Sequence, residues 1–167
     1  MISEKNKIEN ECIYSDDKSH RYLLSRVWDK EKPIAMFFTK NSGQADGIYV
    51  ELTNNIITNN LYKLGYGGYY AVNLYSAIDN GSDNLFDKDT DSVIKKYAKT
   101  ASEIIIAWGS LTTNKLKERE ASVIDILNKS GKKLLTVCDM AGHKNVHPLT
   151  PSVRQGFLLA DWSNDPS

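Results

Sequence analysis

Ile34-Ala35-Met36-Phe37-Phe38 runs into the polar stretch Asn41-Ser42-Gly43-Gln44-Ala45-Asp46, and the same pattern returns three times. Tyr69-Tyr70-Ala71-Val72 runs into Asn73-Leu74-Tyr75-Ser76. Ile104-Ile105-Ile106-Ala107 runs into Trp108-Gly109-Ser110. Leu134-Leu135-Thr136-Val137-Cys138 runs into a loop holding His143 and His147-Pro148-Leu149. A strand buried on both faces of a parallel sheet reads as such a run, because neither face meets water. The loops that follow such strands gather at one edge of the sheet, where ligands bind. The pattern therefore predicts that polar residues far apart in the chain meet at that edge.

Between these runs the periodicity changes to that of helices. Leu52, Ile56, Leu61 and Leu64 fall near one face of a helix over about 51–64, and Gly65 suits its end. A second helix is expected over about 89–101, with Val93, Ile94, Tyr97, Ala98 and Ala101 inward. A third is expected over about 113–129, with Leu116, Val123, Ile124 and Leu127 inward and Gly131 at its end. Strand and helix alternate three times before a fourth strand, and right-handed crossovers would put helices on both faces of the sheet. Upstream, Ile13-Tyr14 and Tyr22-Leu23-Leu24 flank Ser15-Asp16-Asp17-Lys18-Ser19, which reads as an N-terminal hairpin. Residues 1–10 read as a flexible arm, and Phe157 to Trp162 as a segment packed on the core.

The 167 residues suffice for one domain, taken as 1–167. Lys plus Arg equals Asp plus Glu at 21 each, so the net charge is zero, which argues against a broad basic surface. Cys12 and Cys138 set up no disulfide framework and no metal spacing. No run approaches the roughly 20 apolar residues of a membrane span, and the first ten residues do not read as a signal peptide. A soluble, cytoplasmic, monomeric protein is expected.

The loop residues carry the chemistry. An Asn at position 73 presents both donor and acceptor and can match the edge of a nucleobase. Pro148 stiffens the loop and fixes the direction of His147. His143 lies four positions earlier, but the intervening Gly142-His143-Lys144-Asn145-Val146 is not helical in character, so zinc is not expected. Asp79, Asp83, Asp87, Asp89 and Asp91 suit turns and the start of the second helix better than a metal site.

Taken in order, Gly43-Gln44-Ala45-Asp46, Val72-Asn73, Ala107-Trp108-Gly109 and His147-Pro148-Leu149 resemble the motifs of the uracil-DNA glycosylase superfamily over about 30–150. The chain more closely resembles a small bacterial and phage branch with a Tyr-x-Leu-x-Arg-x-Trp strand and an Asn-Pro-Ser-Thr-Ala-Asp loop. Tyr22 to Trp28 and Asn41 to Asp46 fill those places. The resemblance implies an α/β three-layer sandwich with a central four-stranded, mainly parallel sheet. It also implies a DNA glycosylase that hydrolyses the N-glycosidic bond of a flipped-out base, with DNA as partner and no cofactor or metal.

The resemblance further assigns roles. Asn73, Gln44 and Tyr49 would bind the base, Tyr49 by stacking. His147 would donate to the pyrimidine O2 as charge builds on the leaving base. Asp46 would orient the water, with Glu51 as second candidate. Leu149 would fill the gap left by the flipped nucleotide, beside a DNA contact at Ser110. The chain departs from the superfamily in two places: Ala45 displaces the first-loop Asp by one residue, and Leu149 replaces Ser. A pocket of different shape is implied, suited to a modified pyrimidine such as hydroxymethylated or glucosylated cytosine of phage DNA, hence antiphage defence. The alternatives are an inactive module of this fold that binds nucleic acid, nucleotide or protein, and a hydrolase of free nucleosides or nucleotides.

Overall fold

The computed structural model describes residues 1–79, 81 and 83–163. The elements follow in the order β1 (Glu9–Tyr14), β2 (Arg21–Val27), β3 (Ile34–Asn41), α1 (Leu52–Lys63), β4 (Gly68–Tyr75), α2 (Lys88–Thr100), β5 (Ile104–Ile106), α3 (Asn114–Asn128), β6 (Leu134–Cys138), a 3-10 turn (Pro151–Val153) and β7 (Leu158–Asp161). All seven strands join one sheet in the order β1-β2-β4-β3-β5-β6-β7. The four apolar runs are its adjacent parallel strands. The sheet has seven strands, not four: the N-terminal hairpin continues it antiparallel beyond β4, and β7 does so beyond β6.

Alternation along each strand builds two cores. Met36 and Phe38, Val72 and Leu74, Ile104 and Ile106 meet Ile94 and Ala98 of α2 and Val123 and Leu127 of α3. The intervening Ala35, Phe37, Tyr69, Ala71 and Ile105 meet Ile57 and Leu61 of α1, with Val153 and Phe157. Helices thus cover both faces, which is why the parallel strands lack polar alternation. Each Ile or Phe so enclosed contributes about 1.5–3 kcal/mol relative to an exposed position.

The helices end where expected. Gly65 (φ +87°) and Gly131 (φ +70°) follow α1 and α3 in the left-handed conformation that glycine adopts without strain. The segment from Phe157 packs on the core as expected, through Phe157, Leu159 and Trp162, but it does so as an edge strand that leaves Leu158 47% exposed.

A bulge shapes the N-terminal hairpin. Ile13 and Tyr14 pair with Leu23 and Arg21, so Tyr22 is the extra residue. Bulges re-aim neighbouring side chains. Here Arg21 reaches the carbonyl of Ala45 in the loop after β3, while the Tyr22 hydroxyl donates to Asp87 at 2.8 Å. Asp87 caps α2: its carboxylate accepts the Asp89 and Thr90 amides, and the Thr90 hydroxyl accepts the Asp87 amide. Of the acidic stretch, Asp87 is thus a cap, and Asp89 and Asp91 lie in the first turn. Asp87→Ala removes the cap and orphans the Tyr22 hydroxyl. It is expected to destabilise the protein by about 2 kcal/mol or more, read from the urea midpoint.

Candidate functional site

The C-terminal ends of β4, β3, β5 and β6 form one edge. The chain leaves β3 toward α1 on one face, whereas it leaves β4 and β5 toward α2 and α3 on the other. Connections that diverge on either side of β3 open a crevice there, the usual ligand position in such sheets.

His147 stands at the same edge, in the loop after β6. A Cβ built on Gly109 would lie 3.5 Å from the His147 Cβ, so the loops after β5 and β6 touch at these residues. The Leu149 amide donates to His147 Nδ1 at 3.2 Å. Nδ1 is therefore an acceptor, and the neutral ring carries its proton on Nε2. Burial, with a smaller contribution from the charge of Lys40, pushes the His147 pKa down. The geometry holds a neutral imidazole that presents an N–H donor.

Asn73 is placed differently from expectation. It lies inside β4, because Asn41 still pairs with Tyr75 two residues further on. Its amide nitrogen donates to Thr39 Oγ1 at 2.6 Å and to the Asn41 carbonyl at 2.7 Å. A carbonyl can only accept, so the amide orientation is fixed. Both donors are spent on β3, and Oδ1 accepts no hydrogen bond among the described residues.

The loop after β3 folds toward the N-terminal hairpin. Asp46 is exposed, and its Oδ1 accepts the amides of Ile48 (2.6 Å) and Tyr49 (2.7 Å). These bonds hold its pKa below the usual carboxylate range, helped by Arg21. One oxygen thus builds a turn that leaves Ile48 93% and Tyr49 60% exposed. Glu51 precedes α1 but turns back, and its Oε1 accepts the Gln44 amide at 3.0 Å. Gly43 makes this possible, since a Cβ there would sit 2.0 Å from Glu51 Oε2. Glu51 is a staple of the loop, a role the spacing alone does not reveal. Gln44 itself is exposed. Beneath lies Arg21, 4% exposed, with Nε unpartnered among the described residues.

The remaining expected residues fall on the β5–β6 side. Leu149 is 37% exposed, and Ser110 is exposed beside Gly109. The edge thus carries two groups, Asp46–Gln44–Glu51 near the hairpin and His147–Gly109–Leu149 near β5 and β6, with Asn73 on β4.

One pair escaped the sequence reading. Asp139 Oδ1 accepts the amides of Ala141 and His143, each at 3.0 Å, while Oδ2 accepts from His143 Nδ1 at 2.9 Å. The bond from the His143 ring is the main reason the Asp139 pKa is pushed down to about 2. Asp139 is buried, whereas the His143 side chain is 76% exposed, and Nε2 has no partner among the described residues. The signal was available: an Asp closing a strand, then a Gly, then a His four residues on. A carboxyl with a depressed folded pKa adds stability above its unfolded value, about 3.9, and loses it as pH falls toward about 2. Asp139→Asn is expected to flatten the fall of the urea midpoint between pH 5 and pH 2.5. An equally steep fall in the variant would sink the assignment.

Fold and edge together define an α/β protein with a parallel-centred sheet and a histidine at the C-terminal edge of its parallel strands. The chain belongs to the family described as protein of unknown function (DUF1643), whose model matches residues 21–149. The match runs from Arg21, beside the bulge, to Leu149, and leaves out both outermost strands. No curated protein and no solved structure matches the chain. Among the described residues, no helix is long and apolar enough to cross a membrane.

Proposed function

We propose that the protein is a DNA glycosylase that removes a modified pyrimidine of cytosine type, acting as a cytoplasmic monomer. Its four parallel strands would then correspond to the central sheet of the uracil-DNA glycosylase superfamily. The observation that carries the reading is the neutral His147 with its proton on Nε2, held at the sheet edge beside Gly109. As the C1′–N bond breaks, the electron pair leaves with the base and charge gathers on O2. A fixed N–H donor at that oxygen stabilises the transition state. Water adds to C1′, and its proton ends on the departed base. Asp46 would orient that water through Oδ2, the oxygen its turn leaves free. Tyr49 stacks on the base and Leu149 fills the vacated space.

Asn73 supports a cytosine-type base. With both amide hydrogens spent, Oδ1 remains and selects a base edge that donates. Cytosine offers its N4 amine and uracil or thymine only the N3–H beside the acceptor O4, so an acceptor placed at the position of atom 4 favours cytosine. Hydroxymethylated or glucosylated cytosine of phage DNA fits this edge, and an antiphage role follows from such a substrate. The competing reading, a binding module without catalysis, is favoured by the turn-building of Asp46 and the stapling of Glu51.

The test is alkaline cleavage at abasic sites in single-stranded and duplex oligonucleotides carrying uracil, cytosine, hydroxymethylcytosine or glucosylated hydroxymethylcytosine. Abasic product in larger yield from a cytosine derivative than from uracil is expected. No release from the whole panel would leave the binding module. Full activity in Asp46→Asn would move the water-orienting role elsewhere.

A further inference from the structure

A second feature adjoins His147 on the far side of Gly109. A cleft of about 1050 Å³ opens between α3 and the loops after β5 and β6, with Trp162 contributing to its lining. Its walls include Ser110, Lys117, His143, Lys144 and Asn145. The volume is at the upper end of small-ligand sites.

Its lining carries two carboxylates and two lysines, and they are partnered differently. Glu120 accepts the Trp108 indole N–H at 3.1 Å. Asp125 is paired with Lys129 at 2.5 Å. Lys117 has no ion-pair partner among the described residues, and Lys144 reaches only the Asp161 carbonyl, at 3.5 Å. His143 is turned by Asp139 so that Nε2 is left unpartnered. Both carboxylates of the cleft thus have a side-chain partner, whereas Lys117 and Lys144 have none among the described residues, and Lys144 lies in the same loop as His147.

Asn145 adds a specific demand. It adopts φ +54°, donates its amide N–H to the Gly109 carbonyl at 3.0 Å, and through its backbone amide binds Thr136 Oγ1 at 3.0 Å. The carbonyl partner fixes the amide orientation. Oδ1 is then a buried acceptor without a partner among the described residues. Such a group calls for a donor from outside the protein.

We propose that this cleft binds a nucleoside phosphate. The phosphate lies against Lys117 and Lys144, and an N–H of the base meets Asn145 Oδ1. The inference rests on the reading of the neighbouring His147 edge as a nucleotide site, and it adds the place where the substrate's phosphate is held. The ligand is either a free nucleotide or a nucleotide of a strand whose neighbour enters the crevice.

Isothermal titration separates these sources and needs no catalysis. Deoxycytidine monophosphate, deoxycytidine, inorganic phosphate and a single-stranded 12-mer are titrated into the full chain and into a Lys117→Gln/Lys144→Gln variant. Two charge-assisted contacts predict binding of the nucleotide or the 12-mer at least about tenfold weaker in the variant. Deoxycytidine should bind at least about tenfold more weakly than its monophosphate. For the 12-mer, the slope of log K against log salt should fall by about 1.4 in the variant. Lysine-dependent binding of the 12-mer alone identifies a strand; of the monophosphate alone, a free nucleotide. Binding of neither, binding unchanged in the variant, or inorganic phosphate binding as well as the nucleotide overturns the proposal. Lysine-dependent binding without base release would keep this site and remove the glycosylase reading. Base release without such binding would do the reverse.

Discussion

On the proposed glycosylase reading, His147→Ala is expected to lower base release by about two to three orders of magnitude, the usual cost of removing one fixed donor from a developing oxyanion. In that reading the donor is its Nε2–H, and the Leu149 amide on Nδ1 keeps the proton there. The substitution leaves that amide beside solvent in an exposed loop, so the unfolding midpoint should move little. The pH profile carries a second signature. Because the folded pKa of His147 is depressed, the ring stays neutral through the neutral range. Activity should be flat there and fall only as pH drops below the ordinary histidine value. Protonation at Nδ1 would expel the Leu149 amide, so the stability from the neutral ring is lost over the same acid range. A rate that rises on acidification, or His147→Ala activity within threefold of wild type, would remove His147 from the chemistry.

The largest effect on stability is expected at Trp108. As part of a Trp-Gly pair after a strand, it invites a reading as a ligand neighbour, yet it is 2% exposed. Its ring meets Phe38 edge-on at 5.3 Å and Trp162 at 5.6 Å, and its indole N–H is held by Glu120. Trp108→Ala empties this position at a cost of about 3–5 kcal/mol. Trp108→Phe keeps an aromatic ring but orphans the Glu120 carboxyl, and should cost about 1–3 kcal/mol. Guanidinium denaturation measures both. A loss under about 1 kcal/mol for Trp108→Ala would mean that the core does not depend on this ring.

The central strands and the three helices were legible because burial on two faces and helical periodicity leave their mark in every residue. Lys88–Thr100 and Asn114–Asn128 lie within a residue of their expected spans. The width of the sheet was not legible. Whether a hairpin stands apart or extends a sheet depends on pairings such as Leu24 with Ala71, which leave no local trace. The same limit holds at the edge. His147 could be singled out because Pro148 stiffens its loop, but its tautomer depends on an amide two residues on. Asn73 was found as a polar residue near a strand end, while the spending of its donors on Thr39 and Asn41 depends on strand register. Glu51 was read as a helix-start carboxylate, and only the space left by Gly43 shows that it bends back. The Asp139–His143 pair was not singled out, because it forms only through the turn at Gly142 that places one on the other.

The flanking antiparallel strands also decide how the protein behaves in a crowd. A sheet ending in a long apolar strand would offer its open peptide groups as a template for another chain. Here β1 opens with the exposed Glu9, Asn10 and Glu11, and Glu9 holds Lys30 at 2.6 Å. At the other end β7 has only four residues, and its Asp161 holds Lys133 at 3.0 Å. A second molecule adding to either border would have to displace an ion pair and desolvate carboxylates. The apolar strands that make the ligand edge are thereby kept from becoming the nucleus of an aggregate.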